Sequence, residues 1–391
     1  MKQRVYTRDI VLILTASFFF MASPMLVTPL ITGFSGSLGA SAGLMGIVGG
    51  LMNLCSLFCR PLAGNLADKI SKYKLSFIGS VLMIAACLGY VSATNEIIVV
   101  ISRMINGVGF ACCTVCMTTW MSNILPRDKV GSGMGLYGTM NALAMAIAPS
   151  IGVSVYQTLG YRTAFGISLF FAIAVAVVIQ FVGDKGEPEP LSSDQSPKER
   201  QHFQLVDIKV LPIALIIMLF TIPYCATQSF LVSYVSTREL SVTVSLFFPV
   251  YAAALLILRL SLKSLFDKLP FWIFLTSSSI CAFLAISLMA VMKHNVTMFL
   301  ASFFMAGGYG MMCSVCQSTA ILLAGKEKRG LANSTYYIGL DLGMTLGPMI
   351  GGILYGNLDI RWFYPALLLT VPLVVLVYVT AGKNLRNHEK I

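Results

Sequence analysis

About twelve apolar runs follow one another along the 391 residues: 10–33, 42–63, 75–93, 97–120, 133–157, 163–182, 210–235, 242–262, 271–292, 296–324, 331–356 and 362–381. Each is near the ~20 residues that an α-helix needs to cross a bilayer. No soluble core has room for so many. Hydrophobic residues make up 57% of the chain and charged residues 11%, against ~25% charged in a soluble domain, and the mean hydropathy is +0.82. The sequence therefore predicts an all-α membrane protein with twelve transmembrane helices. The one long polar interruption, 183–209, is rich in Glu, Pro, Ser, Asp and Lys and reads as a solvated linker. It separates two six-helix halves, 1–182 and 210–391.

A net charge of +11 could suggest a nucleic-acid partner, but its distribution points to topology instead. Of the 27 Lys and Arg, 20 fall in the two terminal segments, the linker and the turns after runs 2, 4, 8 and 10. The alternate turns hold four, Arg162, Arg238, Lys293 and Arg361, and three lie inside runs, Arg60, Arg103 and Arg259. The expectation is a multi-pass protein of the bacterial inner membrane with both termini in the cytoplasm and the first run retained as a helix rather than cleaved. The ten cysteines all fall within runs. Cys112 and Cys116, and Cys313 and Cys316, are a helical turn apart, which leaves open a soft-metal site or plain apolar packing; packing is the expectation, with no metal.

The two halves repeat at an offset of 199 residues. Arg60 maps onto Arg259, Asp68-Lys69 onto Asp267-Lys268, Gly131 onto Gly330, Tyr137 onto Tyr336, and Arg162 onto Arg361. Pro149-x-Ile151-Gly152 maps onto Pro348-x-Ile350-Gly351. Matching positions read as scaffold, and positions that break the symmetry are better candidates for chemistry. Two intramembrane charges have no counterpart: Arg103 maps onto Ser302, and Asp341 maps onto Ala142.

Twelve helices in two parallel halves, with a basic turn after the second, resemble the major facilitator superfamily. Gly64-Asn-Leu-Ala-Asp68-Lys69-Ile-Ser-Lys72-Tyr-Lys74 is similar to that family's G-x-L-A-D-R/K-x-G-R/K-R/K, with Ser71 where glycine is usual. The second-half copy keeps only Asp267 and Lys268. Arg103-Met-Ile-Asn106-Gly107-Val-Gly109 is similar to R-x-x-Q/N-G-x-G. Bacterial proton-coupled exporters of the family carry G-x-x-x-G-P-x-x-G-G in helix 5. Here run 5 has Ala144 and Ala148 at the early glycine positions, and run 11 fits the spacing better through Gly343, Gly347, Pro348, Gly351 and Gly352.

The resemblance implies a secondary transporter working by alternating access. The expected function is proton-coupled efflux of a small amphipathic, neutral or anionic solute. Proton-symport uptake, facilitative uniport, or a sensor or scaffold that kept the fold remain open. Partners would be the small-molecule substrate and the bilayer, the protein a monomer without cofactor, and the energy source a proton gradient. No Walker-type phosphate loop and no nucleophile–base set stands out, so an enzyme is not expected.

For Arg103 the resemblance implies proton or substrate coupling; the alternative is an arginine bonded to carbonyls or snorkelling outward. Asp341 lies ten residues into run 11, ~15 Å at 1.5 Å per residue, where an ionised carboxylate is expensive. It reads as a proton carrier, as a direct substrate contact or, paired with Arg60 as the family's helix packing implies, as a cytoplasmic gate latch, and the carrier and latch readings are compatible if protonation breaks the latch; Arg259 would be the matching cation, with Asn141 in place of an acid. Gly64, Asp68, Lys69, Lys72, Asp267 and Lys268 form the candidate cytoplasmic gate motif. Runs 1, 4, 7 and 10 should line the cavity, and the candidates for it are Ser23, Thr28, Asn106, Asn141, Tyr224, Gln228, Gln317 and Tyr336.

Overall fold

The computed structural model describes residues 7–67, 69–126, 130–187, 206–261, 269–324 and 329–381, and these are almost entirely helical. Within a bilayer a helix satisfies every main-chain N–H and C=O internally, which is why apolar runs of this length take that form. The first half comprises α1 (Arg8–Ser37), α2 (Ala42–Ala67), α3 (Lys72–Ser92), α4 (Glu96–Ile124), α5 (Val130–Leu159) and α6 (Tyr161–Val178). The second comprises α7 (Leu211–Thr237), α8 (Phe247–Ser261), α9 (Phe271–Ala290), α10, α11 (Arg329–Asn357) and α12. Helix α10 runs through Asn295–Met305, a π-turn at Ala306–Gly310, and Met311–Ala324; α12 is split into Phe363–Leu367 and Thr370–Ala381.

Starts are set by local chemistry. Thr7, Ser71 and Asn95 accept the N–H of Ile10, Lys74 and Ile98 at 3.4, 3.2 and 3.0 Å, and Asp9 and Glu96 sit in the first turns of α1 and α4, where the helix dipole favours an anion. Ser71, the departure from the family's glycine, is thus the N-cap of α3. The break in α12 falls four residues before Pro372, whose ring excludes the carbonyl of Leu368 from a regular turn. The π-turn falls where Gly307, Gly308 and Gly310 relax the backbone.

The chain divides into two compact units, Met1–Pro190 and Leu191–Ile391. In the first, α1 packs on α5 and α6, α4 on α2 and α3, and α3 on α6. In the second, α7 packs on α11 and α12, α10 on α8 and α9, and α9 on α12. The offset of 199 residues carries one set of pairings onto the other. Proline kinks repeat too: Thr28 donates to the Pro24 carbonyl at 2.8 Å, and Thr227 does the same to Pro223 at 2.8 Å.

The tightest pairing in the second unit joins α7 and α11. Gly339, Gly343, Gly347 and Gly351, each four residues apart, lie on one stripe of α11. A Cβ at Gly343 would fall 2.6 Å from Thr221 Cβ and 2.8 Å from the Met218 carbonyl, and at Gly347 2.7 Å from the Ile222 carbonyl. At Gly339 it would collide with the Ala214 carbonyl. Small residues let transmembrane backbones approach this closely. The first half has Met140, Ala144, Ala148 and Gly152 at the matching positions.

The turn after each unit's first helix closes with a six-to-one hydrogen bond, from Ala40 N–H to Ser35 O at 3.0 Å and from Leu240 N–H to Val235 O at 3.0 Å. The first turn uses Gly39 at φ +99°; the second places Glu239 at φ +51°. A left-handed residue with a Cβ costs ~1–2 kcal/mol, and glycine's extra freedom in the unfolded chain offsets ~0.4–1 kcal/mol of that. Glu239→Gly is therefore expected to stabilise the protein by ~0.5–1 kcal/mol, read as a higher thermal midpoint in detergent; an unchanged or lower midpoint would show that the turn is unstrained.

Candidate functional site

Among the described residues Asp341 is the one buried carboxylate, 3% exposed, and Arg103 and Lys72 are the buried cations. Asp341 lies twelve residues into α11, ~18 Å along its axis, and its carbonyl accepts the Thr345 hydroxyl at 2.9 Å.

Arg103 is fully buried on α4. Its Nε donates to the Val48 carbonyl at 3.2 Å, Nη2 to the Gly49 carbonyl at 3.4 Å, and Nη1 approaches Met52 Sδ at 3.6 Å. All three partners lie on α2. At the matching place in the second half, Ser302 Oγ donates to the Phe247 carbonyl at 2.7 Å. Val48 and Phe247 are themselves related by the 199-residue offset. One position therefore ties the same two helices through the same carbonyl in both halves, by a guanidinium in one and a hydroxyl in the other.

Arg60 is half-buried on α2, and Arg259 is exposed on α8. Of the gate-motif residues, Gly64 is half-buried, Lys69 is exposed and Lys72 is 5% exposed; Asp68, Asp267 and Lys268 lie outside the described residues.

The predicted cavity residues fall into two groups. Ser23 exchanges hydrogen bonds with Ser168, at 3.0 Å to its carbonyl and 2.8 Å in return, which ties α1 to α6. Thr28 serves the Pro24 kink. Gln317 donates to Asn333 Oδ1 and Tyr337 Oη, both at 3.2 Å, and Tyr336 donates to the Cys313 carbonyl at 2.8 Å. These four are occupied within their own half. Asn106, Asn141 and Gln228 differ: both polar atoms of the Asn106 amide, Asn141 Oδ1 and Gln228 Nε2 are buried without a hydrogen-bond partner. Each such atom costs ~1–3 kcal/mol. Tyr224 stacks on Tyr309, with ring centroids 4.3 Å apart, and leans on Tyr251 at 5.0 Å.

Sequence reasoning missed the clasp at the start of the linker. The Asp9 carboxylate accepts the N–H of Gly183 and Asp184, both at 3.0 Å. Trp120 Nε1 donates to the Asp184 carbonyl at 2.9 Å, and the N–H groups of Lys72 and Tyr73 donate to Gly186 and Lys185 at 3.0 and 3.2 Å. Residues 183–187, polar enough to read as free linker, are thereby fastened to the ends of α1, α3 and α4.

Helix pairing, repeat and buried intramembrane charges together define a polytopic transporter fold. The sequence model of the Major Facilitator Superfamily matches residues 13–328 and 283–389, and the chain belongs to that family. It is 23% identical over 370 residues to the multi-drug resistance efflux pump PmrA homolog of Lactococcus lactis subsp. lactis, covering 91% of this chain and 90% of that protein. It is 24% identical over 237 residues to the multi-drug resistance efflux pump PmrA of Streptococcus pneumoniae, covering 59% of each. A solved POT family transporter in complex with a thioalcohol-conjugated peptide superposes with a TM-score of 0.80 over 96% of each chain at 11% identity, a likeness of fold.

Proposed function

We propose that the protein exports a small amphipathic solute, neutral or anionic, from the bacterial cytoplasm in exchange for protons, by alternating access across the inner membrane with both termini inside. The observation that carries this reading is Asp341, the one buried carboxylate among the described residues, in a chain similar along nearly its whole length to an efflux pump. A carboxyl group at that depth is costly when ionised and marks proton or ion pathways in membrane proteins. Arg103, a fully buried cation deep within α4 whose counterpart is the neutral Ser302, supports a solute that is not strongly cationic.

The test is proton movement in liposomes containing the purified protein, with a panel of neutral, anionic and cationic amphipathic solutes. In the wild type a neutral or anionic member is expected to drive counterflow of protons. Asp341→Asn is expected to reduce that coupled flux at least tenfold, which is ~1.4 kcal/mol or more on the transport barrier, while the folded protein survives. Solute flux without proton movement would replace antiport by uniport. Full coupling in Asp341→Asn would remove the carboxylate from the mechanism.

A further inference from the structure

The π-turn of α10 carries Tyr309 into a stack with Tyr224 of α7 at 4.3 Å and 19°, and Tyr224 in turn contacts Tyr251 of α8 at 5.0 Å. All three rings are buried. Their counterparts 199 residues earlier are Phe110, Met25 and Met52. The same helix pairings therefore hold in the first half with no phenol at any of the three positions. A second difference accompanies these: Gly310 stands where the first half has Ala111, and a Cβ at Gly310 would lie 2.6 Å from Leu255 Cδ1 and 3.0 Å from Tyr251 Oη. A methyl group is absent where Leu255 and the phenol both need room.

Gln228 adds a third difference. It lies one turn beyond Tyr224 on the same face of α7, is 6% exposed, and leaves its buried Nε2 without a hydrogen-bond partner. Its counterpart is Pro29. An unpaired amide donor beside an aromatic stack weakens the fold, and the first half shows that the fold does not require it. Among the described residues, the charged side chain that acts on Tyr251 is Arg259, exposed and eight residues further along α8, and its sign disfavours a cation. Tyr224 and Tyr309 both lie near the middle of their helices, the depth at which transporters of repeated architecture hold substrate. π-turns recur at functional sites.

We infer that Tyr224, Tyr251, Tyr309 and Gln228 form a binding site for a neutral planar aromatic solute, which stacks on the tyrosine cluster and accepts a hydrogen bond from the Gln228 amide. The inference rests on the transporter reading for its purpose, but binding at the site needs no gradient and is measured separately from transport.

The probe is lumiflavin, an uncharged flat ring with carbonyl acceptors whose fluorescence is quenched by stacking on phenols. Titrated with the full-length protein in detergent, it is expected to show saturable quenching. Tyr224→Leu and Tyr309→Leu should each weaken binding about tenfold, in keeping with base-on-aromatic stacking, and Tyr309→Phe, which keeps the ring, should stay within about threefold. Gln228→Met should weaken binding about fivefold without lowering the thermal midpoint, because it removes an unpaired buried donor; a merely structural glutamine would not separate the two readouts. Wild-type affinity in Gln228→Met and in folded Tyr→Leu variants would overturn the site. So would ethidium, a planar cation, displacing lumiflavin at lower concentration than lumiflavin itself needs. If lumiflavin fails to bind while a solute of the panel is still exported, the site falls and the efflux reading stands; if it binds as expected and no solute is moved, the reverse holds.

Discussion

Gly343→Leu is expected to yield no folded protein, and Gly343→Ala a protein whose thermal midpoint in detergent drops sharply. The reason is where the new atoms go. The Cβ of alanine alone would sit 2.6 Å from Thr221 Cβ and 2.8 Å from the Met218 carbonyl, and neither is the end of a flexible side chain. Helix α7 would have to move outward by nearly an ångström. Because Gly339, Gly347 and Gly351 meet the same helix along one stripe, lifting one rung lifts the others. Overpacking of a tight core costs ~1–3 kcal/mol per inserted group, and the shared interface places the alanine at or beyond the top of that range. Leucine adds three more carbons at the same spot. Gly138 provides the contrast: it is also a helical glycine, but a Cβ there meets nothing within 4 Å. Gly138→Ala is expected to leave the midpoint unchanged or slightly raised, since alanine is the better helix former by ~1 kcal/mol. Equal effects at Gly138 and Gly343 would show that the ladder is not a close-packed interface.

The ladder also shows what was legible in the sequence. Glycine and proline in run 11 fitted a close-contact pattern, but which helix they faced was not readable, because the partner main chain lies more than a hundred residues away. The twelve helices were legible from length and hydropathy. Among the described residues, eleven helices are long and apolar enough to span a membrane, and Val244–Arg259 is a shorter apolar helix in the place of the eighth run. The π-turn in α10 and the break in α12 were not read, although three glycines in five residues and Pro372 were there to signal them. Asp9 and the start of the linker are 174 residues apart, and a carboxylate that binds two main-chain N–H groups leaves no pattern in side-chain types. Tyr251 and Tyr309 each look like an ordinary aromatic in an apolar run. A signal for them existed in the repeat: three positions that are Met, Met and Phe in one half are all Tyr in the other.

Arg103 was singled out by that same comparison, and the structure separates its place from its charge. Its place is scaffold, since Arg103 and Ser302 tie equivalent helices through equivalent carbonyls. Ser302 shows that a neutral hydroxyl is enough for that tie. A fully buried guanidinium bonded to carbonyls and a thioether carries a desolvation cost of several kcal/mol, and an apolar side chain of similar volume would avoid it. A charge kept where the fold does not need it is a functional charge by default in a membrane interior. Arg103→Met and Arg103→Ala should therefore part company. Methionine fills the space beside Met52 and is expected to hold stability within ~1 kcal/mol of wild type. Alanine leaves a cavity and is expected to lose ~3 kcal/mol. Proton-coupled flux in liposomes should fall at least tenfold in Arg103→Met despite its intact fold. If Arg103→Met keeps full coupled flux, the charge is dispensable and the arginine is a long-reaching version of Ser302. If Arg103→Met unfolds as readily as Arg103→Ala, the guanidinium's hydrogen bonds outweigh its desolvation, and the scaffold role accounts for the whole residue.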